Sequence, residues 1–341
     1  MLSIPSFRAA HLLPYVHFLR NVGTPVDRLL SRARLPTLFE DNLEAYLPLQ
    51  PALRFLSLAS RLEGIEELGL ATTRFVQLSD LNPYFVRAAH ASPSLRIALE
   101  TYCRMGSLEN TNVRFWPVYE SRQAKLCAFL DASDEPAGLR SAEWSQNMTL
   151  VAVVRGFAGS DWYPEEMAFT SDTPVGSDAM SQFPNTHFVL GQKASWITLP
   201  RGMLSLPPQV DNNQQQRPGT QQKPREIFEP ADFTTSMKTI LRPYLADGYP
   251  HIELAAEITG TSIRTLQRRL ARQGLSYSRL VQHLRYDAAV QLLQNPEIKM
   301  IDAANELGWG SPTTFTRAFS QIAGISPSEY RAQFIKGQLL N

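Results

Sequence analysis

The stretch "SIRTLQRRLARQG", residues 262–274, and its echo "SPTTFTRAFSQIAG", residues 311–324, decide how this chain is read. The first holds Arg264, Arg268, Arg269 and Arg272 without one acid, in a protein whose formal net charge is only +1. Arg264, Arg268 and Arg272 lie four apart, so a helix stacks them on one face, where like charges repel at roughly 0.2–0.5 kcal/mol per pair. An anionic partner offsets that repulsion. Working outward, Ala256 matches Ala304, Gly260 matches Gly308, Leu266 matches Phe315, Leu270 matches Phe319 and Gly274 matches Gly324, an offset drifting from 48 to 50 residues. The region is a duplication of one pattern.

Each copy reads as helix, tight turn, helix. Gly260 and Gly308 stand where the chain leaves the first helix, in a backbone conformation that only glycine adopts cheaply. Ser262 is a candidate N-cap for one second helix; Ser311 followed by Pro312 caps the other. "SPSE", residues 326–329, adds a capping box that opens a final helix. Ile263, Leu266 and Leu270 make the apolar stripe of the first copy, and Phe315, Phe319 and Ile322 that of the second. The opposite faces then present Arg264, Gln267, Arg268, Ala271 and Arg272 in one, and Thr313, Thr316, Arg317 and Ser320 in the other. Arginine forks onto guanine, glutamine pairs with adenine, and threonine offers a hydroxyl and a methyl, which is the chemistry of major-groove reading.

Between the copies lies "YSRLVQHLRYDAAVQLLQ", residues 277–294, with Ser276 as cap and Leu280, Leu284, Ala288 and Leu292 as apolar positions. Such a helix is roughly 27 Å long at about 1.5 Å per residue, comparable with the roughly 34 Å of one DNA turn once its flanking helices add their width. Arg279 and Arg285 extend the acid-free run to residue 285.

Residues from about 230 to 336 strongly resemble the AraC/XylS family of transcription regulators, through "TLQRRLARQGLSYSRLVQHLR" (265–285), "AANELGWGSPTTFTRAF" (303–319) and "GISPSEYR" (324–331). The resemblance implies two helix-turn-helix units joined by one helix. It implies base contacts from Arg264, Gln267 and Arg268 in the first unit and from Thr313, Thr316 and Arg317 in the second. Arg272 shares the face of the first set. Two positions depart from the family pattern: Thr259 replaces a larger apolar residue before the turn, with looser packing expected, and Gly310 leaves Ser311 as the sole candidate cap.

"LPPQVDNNQQQRPGTQQKPRE", residues 206–226, is rich in Gln, Asn and Pro and too poor in apolar side chains to repay ordering, so it reads as an interdomain linker. Before it, residues 53–62, 94–108 and 138–159 have helical periodicity. "VRFWPVYE" (113–120) and "AKLCAFLDA" (124–132) read as a hairpin, with further strands at 166–172 and 195–200. The expected architecture is an α+β domain over 1–205, a linker over 206–229, and an all-α DNA-binding domain over 230–341. "LLPYVHFLRNVGTPVDRLLSRARLP" (12–36) and "LRIALETYCRMGSLENTNVRFW" (95–116) resemble the arabinose-binding-domain-like effector domain of the same family. By implication residues 1–205 sense a small molecule and support a homodimer, and the chain acts with RNA polymerase on double-stranded promoter DNA as an activator.

Composition excludes other classes. A hydrophobic share of 43% with 19% charged residues is that of an ordinary globular protein, and no apolar run is long enough for a membrane span. The first residues lack the continuous apolar core of a signal peptide, so a cytoplasmic protein is expected. Cys103 and Cys127, read as two buried thiols, form neither a CxxC nor a disulfide framework, and six scattered histidines show no metal spacing, so no cofactor is expected. Trp116, Trp144, Trp162 and Trp196 are read as core ahead of ligand pocket. The rival is an enzyme fused to such a DNA-binding domain and working through an activated cysteine; neither Cys103 nor Cys127 has a neighbouring histidine to activate it.

Overall fold

The computed structural model describes residues 4–65, 67–75, 88, 91–130, 136–209 and 232–338. The chain divides into two compact units: one of residues 5–33 and 49–229, the other of residues 1–4, 34–48 and 230–341. Residues 210–231, which hold most of the stretch read as a linker, lie outside the described residues.

The first unit has the α+β character expected of it. Helices α1 (Leu13–Asn21), α2 (Val26–Ala33), α3 (Leu49–Glu63), α4 (Leu68–Ala71), α5 (Leu95–Glu109), α6 (Pro136–Ala158) and α7 (Ser177–Gln182) accompany a sheet of β1 (Val113–Tyr119), β2 (Gln123–Leu130), β3 (Glu166–Ala168), β4 (His187–Val189) and β5 (Ser195–Pro200). The sheet order is β1-β2-β5-β3-β4, antiparallel except for the parallel β3–β4 pair. The expected hairpin pairs Val113 with Leu130 and Tyr119 with Ala124. Pro117 sits inside β1, which a sheet tolerates because β1 is an edge strand and the missing N–H breaks no inner ladder. β4 was not foreseen; "HFV" is too short to carry an alternation.

Apolar positions of α5 and α6 and the inward residues of β2 and β5 form one core, with Leu99, Leu126, Val151, Val154, Phe169, Ile197 and Leu199 in it. Trp144 lies at its centre, 4.8 Å from the Phe169 ring. A buried polar cluster is set into this core. The Glu67 carboxylate accepts from the Arg140 guanidinium through two contacts of 3.3 Å, from the Trp144 indole N–H and from the Gly176 N–H at 3.3 Å. Arg140 also lies 3.8 Å above the Phe169 ring. Of the other tryptophans, Trp116 is exposed, Trp162 and Trp196 are half-buried, and Lys125 Nζ stands 4.9 Å over Trp196.

The second unit is helical: α8 (Phe233–Leu241), α9 (Ile252–Ile258), α10 (Ile263–Ala271), α11 (Tyr277–Leu292), α12 (Met300–Glu306), α13 (Pro312–Ala323) and α14 (Pro327–Gln338). Its core gathers Leu241, Ile258, Leu266, Leu270, Leu280, Leu284, Trp309, Phe315 and Phe319, together with Ile4. Residues 34–48 group with this unit. The Tyr244 hydroxyl donates to the Arg34 carbonyl at 2.8 Å, and the Thr37 N–H donates to Asp247 at 2.9 Å. That segment forms no long helix, so no periodicity announced which helices it lies on.

Candidate nucleic-acid interface

The two second helices, α10 and α13, start where their caps dictate. Ser262 Oγ accepts from the Thr265 N–H at 3.2 Å, and Ser311 Oγ from the Thr314 N–H at 3.2 Å, each satisfying one amide that the first helical turn leaves free. Ser276 does the same for α11, accepting from the Arg279 N–H at 3.3 Å. The capping box of α14 is reciprocal: Glu329 accepts from the Ser326 N–H at 2.8 Å, and Ser326 Oγ from the Glu329 N–H at 3.2 Å. The turns ahead of α10 and α13 pass through Gly260 at φ +60° and Gly308 at φ +68°. Thr259, the first departure from the family pattern, is half-buried; its hydroxyl donates back to the Ala255 carbonyl at 2.9 Å while Ile258 fills the core.

Leu266, Leu270, Phe315 and Phe319 turn inward as their spacing requires. Ile263 and Ile322 do not: they are 37% and 42% exposed, a correction to the apolar stripes read from the sequence. Ile263 opens α10 and Ile322 lies in the last turn of α13, so both stand at the ends of their stripes.

On α10, Arg264, Gln267, Arg268, Ala271 and Arg272 are all exposed, and none of these arginines meets a carboxylate among the described residues. On α13, Thr313, Thr316 and Arg317 are exposed and, with Pro312 and the half-buried Ser320, line one open concavity. The structure thus brings each predicted set together on one helix face.

The remaining arginines divide in a way the sequence did not foretell. Arg269 is half-buried, its guanidinium 5.4 Å from the Phe233 ring centre. Arg279 is exposed. Arg285 is a correction: it belongs to the acid-free run, yet it is only 9% exposed and cannot contribute to a basic surface. It donates to the Gly308 carbonyl at 2.7 Å and lies between the Tyr249 and Trp309 rings, 5.1 and 5.0 Å from their centres. Burial pulls its pKa below the usual guanidinium range. The last arginine of the basic run therefore ties α11 to the turn of the second helix-turn-helix.

Sequence reasoning missed a groove between α11 and α13, about 550 Å³ in volume, in which Ser278, Arg279, Gln282 and His283 face Gln321 and Ile322. Its signal was present as the polar positions of α11 one turn apart, but periodicity alone does not say which neighbour a polar face meets.

Cys127 is buried and Cys103 half-buried, not fully buried as expected. Burial pushes both thiols up to about 11, and for Cys103 the nearby Cys127 adds to the rise. Both are the protonated, unreactive form at neutral pH. Among the described residues no group of three or more His, Cys, Asp or Glu is disposed to hold a metal, and no helix is long and apolar enough to cross a membrane.

Residues 255–333 match the family model of a helix-turn-helix domain, and residues 23–208 match that of the arabinose-binding domain of AraC transcription regulator, N-terminal. The chain is 23% identical over 285 residues to the ornithine utilization regulator of Pseudomonas aeruginosa, covering 80% of each. It is also 23% identical over 354 residues to the HTH-type transcriptional regulator VirS of Mycobacterium tuberculosis, covering 95% of this chain and 96% of that one. Among solved structures, the transcriptional regulator CdpR from Pseudomonas aeruginosa aligns over 90% of this chain and 96% of its own with 18% identity and a TM-score of 0.38. With one model spanning more than half its length and a helix-turn-helix model covering both capped repeats, the chain belongs to the AraC family of DNA-binding transcription regulators.

Proposed function

We propose that the chain is a ligand-responsive, sequence-specific regulator of transcription, which reads adjacent major grooves of promoter DNA with α10 and α13 and activates RNA polymerase. The base-reading residues are Arg264, Gln267, Arg268 and Arg272 of the first helix-turn-helix and Thr313, Thr316 and Arg317 of the second. The observation that carries the reading is that each set stands exposed on one face of a helix whose other face is locked into the core by Leu266 and Leu270 or by Phe315 and Phe319. The connecting helix α11 has 16 residues, about 24 Å at about 1.5 Å each, which suits two helices entering successive grooves. Arg279, Gln282 and His283, in the groove beside α13, are suited to phosphates.

In this reading residues 1–205 form the effector-binding domain, residues 206–229 the linker and residues 230–341 the DNA-binding domain, and the protein works in the cytoplasm as a homodimer. The raised thiols of Cys103 and Cys127 speak against the cysteine-enzyme alternative. The test is binding to promoter and to scrambled DNA over a salt series. Arg268→Ala and Arg317→Ala each cost about 1–3 kcal/mol on the promoter, relaxing specificity in separate half-sites. A loss of equal size on promoter and scrambled DNA refutes base reading.

A further inference from the structure

The first unit holds a partly open cavity of about 120 Å³ lined by residues of α1, α3, α5, α6 and the β1–β2 hairpin. Its walls are mostly apolar, with Leu53, Leu56, Met105 and Phe115 among them. Phe115 forms its wall because α5 carries Gly106 at the point of approach; a Cβ there would run into the ring, with Phe115 Cε2 only 2.7 Å away. The volume is close to that of the apolar cavity of roughly 150 Å³ that accepts benzene in an engineered protein. It suits one ring or a short carbon chain.

Among the polar lining residues, Glu109 and Gln146 bear most on which molecules fit. Glu109 lies in the wall, but its carboxylate is already engaged, 3.1 Å from Arg8 Nε and 3.0 Å from His11 Nε2. Arg8 is 2% exposed and does not line the cavity, and the described lining contains no lysine or arginine. A ligand carboxylate finds no unspent cation, and a ligand ammonium finds a carboxylate whose charge is already balanced. Gln146, by contrast, lines the cavity with its Oε1 buried and without a hydrogen-bond partner. A buried amide oxygen left unsatisfied is costly, and a neutral donor delivered to it removes that cost.

We propose that this cavity is the effector site, and that it takes an uncharged, largely apolar molecule with one hydroxyl, a phenol or a short alkanol, which donates to Gln146 Oε1. The proposal rests on the reading that the first unit senses a small molecule, and it adds the place and the chemical class.

The experiment titrates the full chain with p-cresol, toluene, benzoate and ornithine by calorimetry, in wild type, Gln146→Leu and Ala142→Leu. Ala142 lines the cavity, so the larger side chain fills it. Saturable binding of p-cresol is expected, with toluene about three- to tenfold weaker for want of the donated hydrogen bond. Benzoate and ornithine bind at least tenfold more weakly than p-cresol. Gln146→Leu brings p-cresol and toluene within about twofold of each other, and Ala142→Leu loses both. Benzoate or ornithine binding as well as p-cresol, or an unchanged p-cresol–toluene ratio in Gln146→Leu, overturns the proposal. The Gln146→Leu comparison stands even where Ala142→Leu fails to fold. Promoter binding with and without p-cresol separates the two readings. Cavity binding without any change in DNA affinity supports the site and refutes its role as effector site; a p-cresol response that survives in folded Ala142→Leu keeps an effector but refutes this cavity.

Discussion

Arg285→Ala distinguishes a structural arginine from a reading one within the same basic run. The wild-type guanidinium makes a charge-assisted hydrogen bond of 2.7 Å to the Gly308 carbonyl, about 1.5–3 kcal/mol for such a bond. Its stacking between Tyr249 and Trp309 contributes about 1–2 kcal/mol at this degree of burial. Against these stands the cost of desolvating the charge, the same cost that lowers its pKa, which the substitution recovers. The net loss is about 2–3 kcal/mol, because the freed Gly308 carbonyl and the space between the rings remain. Urea unfolding followed by far-ultraviolet circular dichroism reports this as a midpoint lowered by roughly 1–2 M in the transition of the helical unit. Arg268→Ala, on an exposed face, changes stability by less than about 0.5 kcal/mol while weakening promoter binding. An Arg285→Ala protein as stable as wild type but defective in DNA binding refutes the assignment.

Three further outcomes follow from the same geometry. Gly308→Ala destabilises the helical unit by more than about 3 kcal/mol, since it adds the cost of φ +68° to a collision with the Leu245 and Gly248 carbonyls, whereas Gly260→Ala, with nothing within 4 Å, costs about 1–2 kcal/mol; equal losses in denaturation refute this. Glu67→Ala strands the buried Arg140 guanidinium and lowers the stability of the α+β unit by about 3–5 kcal/mol, seen as a shifted tryptophan-fluorescence transition, and a change below about 1 kcal/mol counts against it. Hydrogen bonds from Ser326 hold Glu329 below the usual carboxylate range, so its contribution is present above the unfolded carboxylate pKa and is lost as pH falls through the lowered folded value. Glu329→Gln therefore melts below wild type at neutral pH and converges with it in acid; a gap that persists at low pH refutes the cap's role.

The helical repeat was legible because its signals are local. A serine three residues before an amide, a glycine at positive φ and apolar residues at a period of 3.6 act through neighbours a few positions away. For that reason Ser262, Ser276, Ser311 and Ser326 cap the helices they precede, and Leu266, Leu270, Phe315 and Phe319 are buried. The exposed faces of α10 and α13 came with the same periodicity.

What tertiary structure alone decided is which exposed-looking or buried-looking positions find a neighbour. Arg268 and Arg285 are alike in sequence, but only Arg285 meets Tyr249, Trp309 and the Gly308 carbonyl, partners up to 36 positions away. Ile263 and Ile322 have the right spacing for burial, yet at the ends of their stripes both stay exposed. Residues 34–48 carry no periodicity, and only folding sets Arg34 and Thr37 against Tyr244 and Asp247. The cavity, too, exists only where α5, α6 and the hairpin meet, because a void is a property of the surfaces that fail to close, and no single segment encodes it.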